Sequence, residues 1–127
     1  MREKVYDLED RLIEFGARVA NLVEALPKSR AGNYMAGQLI RCGLAPALNY
    51  GEAQGAESRE DFVHKMKVVL KELKEARVCL KLIKRQQMIK PAERLSLICT
   101  ECEELISIVA KSIETAKKNI TSAQMTT

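Results

Sequence analysis

The stretch Lys67-Val-Val-Leu-Lys-Glu-Leu-Lys-Glu-Ala76 decides the fold class. Most of its residues are strong helix formers, and its apolar positions return with a period near 3.6 rather than 2. Followed outward, the same face reads Phe62, Met66, Val69, Leu70, Leu73, Ala76, Leu80 and Ile83, so one amphipathic helix covers residues 59–87. Ser58 stands three residues ahead of Asp61, a spacing that caps the start of such a helix.

Three further helices flank it. Upstream, Val5, Leu8, Leu12, Phe15, Val19, Leu22 and Leu26 alternate spacings of 3 and 4, the narrow seam of a bundle helix over residues 5–26. Pro27 ends it by disfavouring the α conformation at Leu26. The second helix, residues 33–54, is apolar almost all round, from Met35 and Ala36 through Leu39, Ile40, Cys42 and Leu44 to Leu48, so it is either central in the bundle or buried from two sides, and a second buried face points to self-association. Pro46 within it predicts a bend. Downstream, Pro91 fits the first turn of a fourth helix over residues 91–118, whose core face is Leu95, Ile98, Cys102, Leu105, Val109, Ile113, Ala116 and Ile120. Residues 121–127 carry no periodicity and read as a disordered tail.

These elements predict an all-α, antiparallel up-down four-helix bundle occupying residues 1–120 as one domain. The chain has 127 residues, 46% of them hydrophobic, with no Trp and nine Gly and Pro together, so an aliphatic helical core is expected and a β fold is excluded. No stretch approaches the ~20 apolar residues of a membrane span, and the first residues lack the apolar run of a signal peptide. A cytoplasmic protein with no membrane partner is expected. The four cysteines all fall within helical patterns, as reduced packed thiols do.

Charge is concentrated in one segment. Residues 62–94 hold ten Lys or Arg against three Asp or Glu, whereas the segments on either side are slightly acidic. Lys67, Lys71, Lys74, Arg77, Lys81 and Lys84 follow one another at 4, 3, 3, 4 and 3, with Arg85 beside them, which aligns the cations along about 25 Å of one helix face. Such a track suits the phosphates of RNA or DNA. The plainer interpretation is a solvated face: with the turn near Met88, Glu101, Glu103 and Glu104 come level with Lys74 and Arg77, and exposed pairs there would contribute about 0–1 kcal/mol each. The track contains no aromatic residue, so base stacking is not expected.

Other chemistry finds little support. Cys99 and Cys102 have a metal-ligand spacing and Cys79 comes level with Cys99, but no second such pair exists and Cys42 is expected a turn or two from Cys79. A metal or redox module using Cys79, Cys99 and Cys102 is the weakest of three alternatives. The one histidine, His64, lies off the core face without a partner. No nucleophile–base pair, phosphate-binding glycine loop or di-iron motif is present, so no enzyme activity and no cofactor are expected. The polar residues of the second helix, Gln38, Arg41, Asn49 and Glu52, suit structural roles beside its proline.

Phe15 and Ala17, Leu26-Pro27, Gln38-Leu39-Ile40-Arg41, Asn49-Tyr50-Gly51-Glu52, and Phe62 with Leu70, Leu73 and Glu75 together resemble one bacterial family, the four-helix-bundle proteins encoded in intervening sequences of large-subunit ribosomal RNA genes. The chain is similar, more distantly, to the accessory variability determinants of diversity-generating retroelements. It departs from the family pattern at Ala53, Val69 and Glu72. The resemblance implies a ring-shaped homopentamer and, in the accessory branch, a basic surface that binds nucleic acid and a reverse transcriptase. Two functions follow as expectations: electrostatic binding of nucleic acid through Lys67, Lys71, Lys74, Arg77, Lys81, Lys84 and Arg85, or a homo-oligomeric adaptor between proteins that binds no nucleic acid.

Overall fold

The computed structural model describes residues 7–126, with side chains described as far as Thr121; Val5 of the first apolar seam and Thr127 of the expected tail lie outside the described residues. Four α-helices follow one another, α1 (Leu8–Val23), α2 (Arg30–Gln54), α3 (Arg59–Arg85) and α4 (Ser96–Thr126), with a short 3₁₀ turn at Ala92–Leu95 ahead of α4. Short links reverse the chain each time, and each helix packs on the next while α4 closes against α1. The result is an up-down four-helix bundle.

The local chemistry explains most boundaries. The Ser29 hydroxyl accepts the backbone N–H of Gly32 at 3.1 Å, so α2 begins at Arg30, about a turn ahead of the expected Asn33. Ser58 does the same for Asp61 at 3.0 Å and starts α3. Ahead of Pro27 the last turn of α1 tightens: the N–H groups of Glu24, Ala25 and Leu26 bond three residues back rather than four. Pro91 does not open α4 as expected; its extended backbone instead starts the 3₁₀ turn, and α4 proper begins at Ser96.

The α2 helix continues on both sides of the buried Pro46. One expectation about irregularity is corrected. At the C-terminus α4 continues to Thr126, where a loose tail was expected from residue 121. Nothing between Lys117 and Met125 stops a helix, as neither Gly nor Pro occurs there. Arg59 of α3 donates to the Asn119 carbonyl at 3.3 Å, and the Thr121 hydroxyl donates to the Lys117 carbonyl at 3.2 Å, which holds the first part of this extension.

The core is aliphatic, with Leu12, Phe15, Val19, Leu39, Met66, Val69, Leu73, Leu80, Ile83, Leu105 and Val109 all sealed from solvent. Close contact between α1 and α2 depends on glycine. A methyl group at Gly43 would lie 2.6 Å from Val19 Cγ1, so only a residue without a side chain fits where the helices meet. No helix among the described residues is long and apolar enough to cross a membrane.

Candidate functional site

The outward face of α3 carries the cation stripe. Lys67, Lys71, Lys74, Lys81, Lys84 and Arg85 are exposed, and among the described residues none of them forms an ion pair. Arg77 alone is half-buried and paired, with Glu103 of α4 at 3.2 Å. The expected neutralisation by α4 therefore fails for most of the stripe. The reason is α1: Arg11 reaches both Glu101, through Nε at 2.9 Å and Nη2 at 2.7 Å, and Glu104 at 2.8 Å. The hydrogen bond that Arg11 donates to Glu101 raises the pKa of its guanidinium further above the ordinary value. Two carboxylates that would have met α3 thus serve to close α1 onto α4.

A second cluster orients α2 on α3. Arg41 donates to Glu72 at 3.0 Å, to Glu75 at 2.7 Å and to Gln38 at 3.3 Å. The hydrogen bond from Arg41 draws the Glu75 carboxyl below the ordinary carboxylate range. Glu72, only 9% exposed, is the one polar or charged side chain buried among the described residues. Its burial was not foreseen, because Glu72 follows the period of the stripe as readily as that of the core; only the pairing with Arg41 reveals it.

Beside this cluster, α2 and α3 enclose an open groove of about 680 Å³. Its walls are Tyr34, Met35, Gln38 and Arg41 from α2, with Lys67, Lys71 and Lys74 on the α3 side and Leu70, Val78, Cys79 and Leu82 supplying apolar surface. Half of the stripe is thus the rim of a groove rather than an isolated helix face. The groove also brings an aromatic residue to the cations. Tyr34 is 66% exposed and lies on α2, so no inspection of the α3 pattern could find it; the signal was Tyr34 standing two turns ahead of Arg41.

The cysteines pair differently from the expected arrangement. Cys79 turns its sulfur to α2, where Cys42 Sγ lies 3.9 Å away, rather than a turn or two distant. The contact between the two thiols raises the Cys42 pKa and lowers that of Cys79. Cys102 donates to the Leu73 carbonyl at 3.4 Å and is pushed by burial up to about 12. Among the described residues no three His, Cys, Asp or Glu side chains converge as metal ligands would. The contacts of Arg77 with Glu103 and of Cys102 with Leu73 do fall at the level expected for the third and fourth helices. His64 is exposed on α3.

Chemically, the site offers unpaired cations, an apolar groove and an exposed aromatic ring. A family model described as 23S rRNA-intervening sequence protein matches residues 6–111. Among solved structures, the chain is similar to a protein with unknown function from the S23 ribosomal protein family of Bacteroides thetaiotaomicron, with 30% identity, a TM-score of 0.77 and coverage of 84% of this chain and 97% of that one. No protein of curated function matches the chain.

Proposed function

The chain belongs to the 23S rRNA-intervening sequence protein family, and on that premise we propose that it is a non-catalytic cytoplasmic protein that binds nucleic acid through phosphate contacts along α3. The observation that carries this reading is the set of six cations, Lys67, Lys71, Lys74, Lys81, Lys84 and Arg85, left unpaired among the described residues after Arg11 has taken Glu101 and Glu104 of α4 and Arg77 has taken Glu103. A surface that merely solubilised the bundle would mix both signs, as the rest of this chain does. Six aligned cations repel one another, and a polyanion relieves that repulsion while releasing its own counterions.

The protein acts as a homo-oligomer, a pentamer on its family resemblance. Supporting this, Ile40, Leu44 and Leu48 form an exposed apolar row at spacings of four along α2, with Ile13 of α1 also exposed. The same row favours a rival reading, an adaptor that engages another protein.

Titration of labelled RNA and single-stranded DNA with the purified oligomer separates the two. Under the phosphate reading a variant carrying Lys71→Glu, Lys74→Glu and Lys81→Glu keeps its oligomeric mass and loses binding. Wild-type protein that binds neither ligand at low salt would leave the adaptor.

A further inference from the structure

We infer that the α2–α3 groove seats an unpaired nucleobase against Tyr34, with the flanking phosphates held by the α3 lysines; this rests on the phosphate-binding reading above and names the form of nucleic acid it takes, a single strand. The placement follows from the register of the two helices. Arg41 meets Glu72 and Glu75, so Tyr34, two turns before Arg41 on α2, comes level with Val78 and Leu82 on antiparallel α3. Tyr34, Val78 and Leu82 are 66%, 54% and 46% exposed, three large apolar surfaces at one end of the groove. The Tyr34 hydroxyl makes no hydrogen bond among the described residues, so the ring is not committed to the fold.

Charge complementarity selects the occupant. Val78 lies between Lys74 and Lys81 on the helix face, next to Arg77, which is taken up by Glu103, so a group on the apolar end has an unpaired cation on each side, about 10 Å apart along the helix. A ligand matching this end has a flat apolar face between two anions, which describes a base in a sugar–phosphate chain. In a duplex the base faces are stacked inward and only the backbone and the groove edges of the bases are presented, so no base face covers Tyr34, Val78 and Leu82. A single strand covers them, and base–aromatic stacking of this kind is indifferent to sequence.

The test compares three ligands of equal length and salt: a single strand, the same backbone with abasic sites, and a blunt duplex. Stacking on one aromatic ring contributes about 5- to 150-fold in affinity, so the intact strand should bind more tightly than the abasic strand by a factor in that range, and quench tyrosine fluorescence. Tyr34→Ala should erase the difference while retaining the salt-dependent binding common to all three; Tyr34→Phe should preserve it. Because Tyr34 is exposed and outside the core, both variants should melt within a few degrees of wild type. Equal binding of intact and abasic strands, with binding still lost on reversal of Lys71, Lys74 and Lys81, would overturn the base seat and leave the phosphate track standing. Failure of all three ligands to bind would overturn both and assign the groove to a protein.

Discussion

At the scale of single residues, the fold depends on a few positions where chemistry leaves no alternative. Gly43 is one, since any β-carbon there meets Val19 at 2.6 Å. Gly43→Ala should cost about 1–3 kcal/mol, the usual range for overpacking, whereas Gly51→Ala, with open space around the added methyl, should stabilise by about 0.4–1 kcal/mol. Urea denaturation of the two variants checks both signs. Cys102 supplies a pH test. Its pKa is raised by burial from the ordinary 9 to about 12, so the folded chain holds a proton that the unfolded chain releases. The associated stability is intact below pH 9 and is lost as pH rises toward 12. Thermal melts of wild type should decline across that window more steeply than those of Cys102→Ala, even if the variant is less stable at neutral pH.

Residue scale is also where sequence reading stops. The core faces of all four helices are legible because burial imposes a 3.6-residue period on apolar side chains. The positions of Arg11, Glu72, Tyr34 and Cys42 are not legible, because each acts across a helix pair and a few tens of degrees of rotation would give it another partner. Glu101 and Glu104 illustrate this: their level along the bundle could be read from the turn, but their capture by Arg11 could not.

At the scale of elements, α3 and α2 play unlike parts. On α3 the inward face is apolar apart from Glu72, and the outward face carries the cations with Val78 and Leu82 exposed among them. On α2 the inward face fills the core, one flank forms the groove, and the outward row of Ile40, Leu44 and Leu48 remains uncovered. If that row is the contact between copies, Leu44→Glu with Leu48→Glu should leave helicity unchanged by circular dichroism and reduce the mass seen by light scattering to that of a monomer. The outward positions lie off the core, so the subunit fold should survive. An unchanged mass would place the oligomer contact elsewhere. The extension of α4 to Thr126 shows the limit of reading helices from apolar pattern alone: a polar stretch with no stop signal continues a helix once contacts such as Arg59 to Asn119 hold its turns.

At the scale of the whole molecule, the distribution of charge is the feature on which the proposed function rests. A net charge of +4 is modest for 127 residues, yet the carboxylates nearest the stripe, Glu72, Glu75, Glu101 and Glu104, hold helices together through Arg11 and Arg41 while the lysines of the stripe are left to solvent. This division makes the chain a candidate phosphate binder although it lacks any sequence motif of nucleic-acid recognition. It also predicts that affinity is set mainly by ionic strength. The most direct measurement is the dependence of the binding constant for a labelled single strand on salt concentration. If the six unpaired cations of one α3 engage phosphates, the logarithm of the constant should fall linearly with the logarithm of salt, with a slope of about −4 for a single strand. Binding that is strong and insensitive to salt, or absent at low salt, would contradict the account.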